Sequence, residues 1–313
     1  TIITPQIIDA TELGDVAAAI GVPYHIGMDS KDRYNEAIAP TQANNVIQDL
    51  TFVLILKEYD QPVAISKPEG YDPTLFYCAT ANKKCKDSAS TNRILWAKDK
   101  MITYGKLPNK KYMINWPING NDFYTNTIEK PPEERDIIYE KAKLKSLQFL
   151  YYLQTELGFK NFGIATNEFP TEDGFPLIPY HRESRRIVGE VTLTLNHIAK
   201  PYDQPSPLYR TAIAVGDYPL DHHHAAHPKA SELPELHFYP VPSYSIPIGS
   251  LIPTSEENLI ITEKSISVSN IVNGTTRLQP VVLQLGQAAG ILAAVANNEN
   301  KPPREISVRQ VQK

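Results

Sequence analysis

Hydrophobic and polar positions along the chain sort into many short β-like runs and two long helical repeats. The apolar run 259–262 has the length and β-branching of a buried strand. A polar loop rich in Ser and Asn follows, and Pro280 then opens a helix reaching to about Asn297. Proline suits a first helical turn, where its missing N–H would have no partner anyway. One face of this helix is nearly all small: Gly286, Ala289, Gly290 and Ala293. Each interior glycine costs roughly 1 kcal/mol against alanine, so the face predicts a close neighbour, either packed backbone or a flat ligand. The second long helix is predicted over 132–157. Prolines and acids fill its first turn, Ile138, Ala142, Phe149, Leu150, Leu153 and Leu157 share a face, and Gly158 ends it.

Shorter elements are predicted around these two. The apolar stretch 2–8 reads as a strand, and Thr11 as the N-cap of a helix over 13–20 that stops at Gly21. Residues 46–58 are β-rich, with 61–66 as a partner strand. Further strands are expected at 95–104, 110–114, 190–195, 212–215 and, broken by proline, 235–244. The stretch from Asn115 to Asp122 is dense in turn residues. Its amides suit either a polar substrate or ordinary turns. Residues 159–178 read as loop, and Asn297–Asn300 with Pro302-Pro303 is a firm helix stop.

Composition narrows the functional classes. The chain has 313 residues, enough for two domains or one large one, and a formal charge of −4. It has no basic stripe of the kind nucleic-acid binders carry. No apolar run approaches the roughly 20 residues that span a bilayer. Seventeen Tyr and 26 Pro fit a loop-rich protein with many short strands. Cys78 and Cys85 are the only cysteines and flank a short polar loop. That spacing permits a disulfide, which would indicate a periplasmic or secreted setting, but two unpaired thiols fit as well. A zinc site would need more ligands than this loop offers.

Three places carry candidate chemistry. Arg277 stands just before the helix that starts at Gln279-Pro280, where unpaired N–H groups and the positive dipole end favour an anionic or electron-rich group. A strand–helix unit packed tightly on its small residues is the plainer reading. His181, Arg182, Arg185 and Arg186 form a cation cluster that the single Glu183 does not balance. Guanidinium groups suit bidentate grip on carboxylate or phosphate, and equally suit a structural ion-pair hub. The run Asp221-His222-His223-His224, followed by His227, invites a metal reading, with His222 and His224 on one strand face. Metal sites also need supporting partners, so a substrate-facing loop with one histidine moving protons is the preferred reading, and no metal is assigned.

Four stretches together resemble a family of FAD-dependent oxidoreductases of the glutathione-reductase-like, two-dinucleotide-fold group, often labelled xanthan-lyase-like in bacterial genomes. They are Ile8–Asp15, Tyr180–Glu190, Gly216–Asp221 and the run from Leu259 to Ala294 with Ser267, Arg277, Gln279-Pro280 and 286–290. The resemblance implies an α/β to α+β architecture: a partial FAD/NAD(P)-binding fold interrupted by a β-rich substrate domain. It implies a discontinuous FAD-side lobe, 1–25 plus 243–313, around a substrate domain, 26–242, that holds the long helix 132–157. Ala10, Thr11, Gly14, Asp15, Ser267, Arg277, Gln279 and Pro280 are the implied cofactor-binding residues. His181, Arg182, Arg185 and His223 are the implied catalytic or substrate-binding ones, with Arg186 beside them.

A complete member of that family should also carry a G-x-G-x-x-G turn for the FAD pyrophosphate, and none occurs here. Lys264 stands where members often carry Arg. The chain therefore reads as the C-terminal part of an oxidoreductase acting on a small polar, carbohydrate-derived molecule. A non-catalytic glycan-binding module, using its Tyr, Trp116 and Asn residues, and a polysaccharide-lyase-like protein without flavin are the alternatives.

Overall fold

The computed structural model describes residues 4–86 and 95–313. Twelve strands follow in chain order: β1 Ile7–Asp9, β2 Tyr24–His25, β3 Leu50–Thr51, β4 Leu54–Glu58, β5 Lys106–Leu107, β6 Lys111–Ile114, β7 Asp122–Phe123, β8 Phe162–Ile164, β9 Arg186–Ile187, β10 Ala212–Gly216, β11 Tyr244–Pro247 and β12 Leu259–Ile261. The α-helices are α1 Asp15–Ala19, α2 Lys31–Tyr34, α3 Lys98–Tyr104, α4 Pro132–Thr155, α5 Leu195–Ala199, α6 Asn270–Thr276, α7 Gln279–Glu299 and α8 Val308–Val311. The build is mixed α/β, with several small sheets. The chain divides into two compact units.

The first unit comprises Thr1–Gln48, Arg182–His222 and Ser231–Lys313. β1 and β12 pair in parallel, Ile7 opposite Leu259 and Asp9 opposite Ile261. Residues some 250 positions apart thus lie side by side, which no local pattern encodes. β2 pairs antiparallel with β9, and β10 with β11. α7 packs on β1, β10 and β12 through Leu285, Ala289 and Leu292, all fully buried. By length and composition α7 would be apolar enough to cross a membrane, but this face is committed to the core. Its small face divides: Ala289 is inside, whereas Gly286 and Gly290 point outward, with nothing within 4 Å of where a Cβ would sit. The close neighbour predicted there is absent among the described residues.

The second unit comprises Asp49–His181 and His223–Ala230. β5, β6, β4 and β8 form its main antiparallel sheet, and β3 pairs with β7. α4 lays Ala142, Phe149, Leu150 and Leu153 into a core with Phe52, Phe76, Trp116 and Phe175. Cys78 and Cys85 form a disulfide, with Cα atoms 4.8 Å apart.

Several local expectations are corrected. Residues 98–104 are helix, not strand: Met101 and Ile102 are buried and Gly105 closes the turn, a case where a short apolar run is ambiguous between the two periods. β4 takes β6 and β8 as partners instead of 61–66. That segment is tied by side chain, with Gln154 donating to the Val63 carbonyl at 2.6 Å and accepting from the Ile65 N–H at 3.1 Å. Residues 190–194 make one single bridge, at Leu193, and Leu195 already begins α5. Residues 235–243 are not strand, and the supposed loop 159–178 contains β8. The Ser/Asn-rich loop after β12 holds the wholly buried α6, whose N-cap Ser269 accepts from the Val272 N–H. α1 begins at Asp15 behind Gly14, so Thr11 is not its N-cap residue; the Thr11 hydroxyl caps from a distance by accepting the Asp15 N–H at 2.7 Å.

Candidate functional site

In the first unit, part of the candidate set, Thr11, Gly14, Asp15 and Arg185, gathers where β1 and β12 end. Parallel strands deliver their carboxyl ends to one side, and ligands of open α/β sheets bind there. Asp9 closes β1 with a buried carboxylate. Its Oδ1 accepts the Thr11 N–H at 2.9 Å and the Thr11 hydroxyl at 2.6 Å, and its Oδ2 accepts the Ala17 N–H at 2.8 Å. The loop 10–14 is therefore clamped from inside, and Ala10 is left exposed. Gly14 has φ +66°, and a Cβ on it would meet Ser265 Oγ at 2.9 Å. Both the backbone angle and the space require glycine there.

The segment leaving β12 closes the other side. Lys264 is buried, with Nζ at 2.9 Å from Glu12 Oε1 and 3.0 Å from Glu263 Oε2. Burial works against its charge, but the two carboxylates outweigh it and hold the ammonium pKa above its usual value. Ser265 and Ser184 share a hydrogen bond at 2.7 Å. Arg185 donates to the Leu13 carbonyl at 2.7 Å and to Asp15 Oδ1 at 2.8 Å, with its guanidinium 5.3 Å from the Tyr24 ring centre. Thr11, Gly14, Asp15 and Arg185 are thus brought together.

The other first-unit candidates are dispersed. Ser267 is buried, its hydroxyl accepting from the Gly189 N–H at 3.1 Å and sharing a bond with Thr192 at 3.0 Å. Arg277 is 3 % exposed and turned inward, donating to the Asp221 carbonyl at 2.7 Å and standing 3.5 Å from its carboxylate. The expectation that its guanidinium stands at the mouth of α7 is corrected accordingly. Gln279 and Pro280 are exposed, and the α7 start carries neither a side-chain cap nor an acidic residue in its first turn. Arg182 is buried. Asp221 also meets His237 Nδ1 at 3.0 Å and the Tyr218 hydroxyl at 3.2 Å. His222 directs Nε2 to the Ile271 carbonyl at 3.1 Å and lies against Gly274, where any side chain would overlap its ring.

The charge imbalance expected in the arginine cluster does not occur. Arg186 is 1 % exposed and reaches Glu183 Oε1 at 2.9 Å, Asp29 Oδ2 at 3.1 Å and the Gly27 carbonyl at 2.8 Å. Glu183 further accepts from Asn270 at 2.9 Å and from the Gln48 N–H at 3.2 Å, and Asp29 from the Asn270 N–H at 2.9 Å. Burial pushes the Glu183 carboxyl above its ordinary range despite the Arg186 charge. Glu36, which accepts from Ser269 at 2.7 Å, is raised by burial as well. On α6, Asn270 Oδ1 and Asn273 Nδ2 are buried without a hydrogen-bond partner.

In the second unit, β3 is flanked by β7 and by a bridge from Thr51 to Tyr180. This places Thr51 and Asp122 opposite each other, and the Thr51 hydroxyl donates to Asp122 Oδ1. Asp122 Oδ2 lies 3.3 Å from His223 Nδ1. The His223 carbonyl accepts the Asp49 N–H at 2.7 Å. His181 Nε2 is 3.0 Å from the Tyr139 hydroxyl. The His run is not a strand, and no set of three His, Cys, Asp or Glu side chains converges on a metal position among the described residues. Of the turn-dense stretch, Asn121 is fully buried and braces the backbone at Phe52, Ile114 and Trp116.

Asp9, Asp29, Asn270, Thr51 and Asp122 are not among the candidate site residues read from the sequence. Only Asp9 had a local signal, a carboxylate two residues before Thr11 at a strand end. Asp122 lies 101 positions from His223, and Asp29 lies 157 from Arg186.

Residues 1–313 match the family model described as FAD dependent oxidoreductase. No match is found among curated proteins or among solved structures. The family implies FAD as cofactor and a dinucleotide-binding fold, with which the mixed α/β build and the parallel β1–β12 pair agree. On that match over its whole length, the chain belongs to the FAD dependent oxidoreductase family.

Proposed function

We propose that this chain is the flavin-ring and substrate side of an FAD-dependent oxidoreductase of the glutathione-reductase-like, xanthan-lyase-like group, acting on a small polar, carbohydrate-derived molecule. One observation carries the reading: the clamped turn 10–15 and the segment 263–267 both leave the carboxyl ends of a parallel strand pair. The residues present fit the ring end of the cofactor. Gly14 lets the turn pack closely on Ser265, the α7 start is open with a positive dipole end, and α6 holds two buried polar atoms in need of partners.

FAD, when bound, supplies the electron transfer, and the protein orients and polarises it. Ala10, Thr11, Gly14 and Asp15 form the turn at one side of the ring seat; the exposed Gln279 and Pro280 meet the ring at the α7 start, and Ser267, buried, holds the backbone at Gly189. Arg277 acts through Asp221, fixing the chain just before α7. Arg185 keeps the turn 10–15 in shape through Leu13 and Asp15. His223, held at Nδ1 by Asp122, and His181, held by Tyr139, move protons at the substrate. Residues 1–25 and 243–313 serve the cofactor and 26–242 the substrate.

The test is titration of the purified chain with FAD, followed by flavin fluorescence and visible absorbance. A saturable change is expected, and it is kept in Gly286→Ala, whose site faces open space. A colourless protein with no saturable response to FAD would sink the reading.

A further inference from the structure

A second recess of the first unit lies apart from the strand ends just described. It is an open groove of about 270 Å³, at the small end of ligand pockets, which run roughly 300–1,000 Å³. Its floor is apolar and buried, with Leu193 and Tyr244. Its wall holds Tyr202 and Tyr209, 82 % and 37 % exposed. Their rings stand 5.2 Å apart at 62°, so two aromatic faces meet at an angle. Gln204, Ser206, Ser243 and Ser245 set amide and hydroxyl groups along the same groove.

No Lys, Arg, Asp or Glu lines it. The one ionisable imidazole, His197, has Nδ1 engaged by the Thr194 N–H at 3.2 Å and by the Thr194 hydroxyl at 2.8 Å. Burial pushes the His197 pKa down, so it stays neutral near pH 7. An anionic ligand would enter without a counter-charge and with the Asp217 carboxylate behind Ser243, which disfavours phosphates and uronates. Gln204 already donates to the Lys200 carbonyl at 3.2 Å and Ser243 to Asp217 Oδ1 at 3.0 Å, but a purely apolar ligand would leave the Ser206 and Ser245 hydroxyls unmatched. What fits is a neutral molecule with an apolar face and several hydroxyls.

We propose that this groove binds a neutral oligosaccharide, a pyranose face resting on Tyr202 or Tyr209 and its hydroxyls meeting Gln204 and the serines. The inference goes beyond the flavin reading and does not rest on it. The two tyrosines protrude, so removing either ring does not disturb the core.

The experiment is calorimetric titration of the full chain with cellohexaose, maltohexaose and mannohexaose, with decaproline as the peptide that also favours aromatic grooves. Saturable binding of at least one glycan is expected. Tyr202→Ala and Tyr209→Ala should each weaken it about fivefold to tenfold, the scale of one lost aromatic contact. Tyr202→Phe should retain it, and so should Tyr104→Ala, which removes an exposed ring in the other unit. The inference is overturned if none of the three glycans saturates, if both alanine variants bind as the parent does, or if decaproline alone binds. FAD titration of the same samples reads the flavin proposal separately.

Discussion

Replacing Arg186 with Met removes the guanidinium that bridges two buried carboxylates, Glu183 and Asp29, and leaves Asp29 only Arg33 at 3.7 Å. The methionine fills most of the volume, so the loss is mainly electrostatic. Three hydrogen bonds vanish: those to Glu183, Asp29 and the Gly27 carbonyl. Charge-assisted bonds are each worth about 1.5–3 kcal/mol, and burying the guanidinium had cost several kcal/mol in return. The net expectation is the usual cost of breaking a buried pair, about 3–5 kcal/mol at pH 7. The pH dependence sharpens the test. Burial already raises the Glu183 pKa above its unfolded value, with Arg186 the main opposing influence. A carboxyl with a raised folded pKa favours folding fully below the unfolded pKa, and that advantage is lost as pH rises through the folded pKa. Without Arg186 the rise is larger, so the variant should lose less at pH 5 than at pH 8. Urea unfolding followed by circular dichroism at both pH values measures this. Adding Glu183→Gln to the variant should recover part of the loss at pH 8. Equal loss at the two pH values, or a loss under about 1 kcal/mol at both, would refute the reasoning.

Other outcomes follow from single contacts. Gly286→Ala and Gly290→Ala should each stabilise the protein by up to about 1 kcal/mol in thermal melts, because both Cβ atoms would meet open space; destabilisation would reveal a neighbour on that face. Burial lowers the Lys145 pKa to about 8, while its Nζ lies 4.1 Å from the Phe76 ring centre. A base with a depressed folded pKa favours folding above the unfolded pKa and loses that advantage as pH falls through about 8. Full charging costs roughly 3 kcal/mol, less about 1 kcal/mol of cation–π attraction, so Lys145→Met should stabilise by about 2 kcal/mol at pH 6 and by little at pH 10. Paired Cys78→Ser and Cys85→Ser should cost about 2 kcal/mol in urea melts, the chain-entropy value for so short a loop, and adding reductant to the parent should cost the same.

Where local physics dominates, the sequence was a sound guide. Pro132 with Glu133 and Glu134 starts a helix, Gly158 ends it, and the spacing of Ala142, Phe149, Leu150 and Leu153 selects the buried face. The residues that carry the family resemblance were also visible, because a family match depends on residue types in order and needs no contacts. Segments with short apolar runs were not decidable this way. Residues 98–104 and 190–195 have too few positions to separate a period of 2 from one of 3.6, and their neighbours settled the choice. α6 was hidden because its Asn residues and its Ser269 cap read as loop, yet Ser269 bonds Glu36, Asn270 bonds Asp29 and Glu183, and Asn273 accepts from Gln48.

The sequence alone thus determined the two long helices, the apolar strand before α7 and the family. Tertiary structure decided the rest: that Arg277 turns inward to Asp221, that Arg186 is neutralised by Asp29, and that Asp122 faces His223. The physical reason is range. Capping and periodicity act within one or two helical turns, whereas burying a charge demands a partner that the chain brings from a hundred residues away.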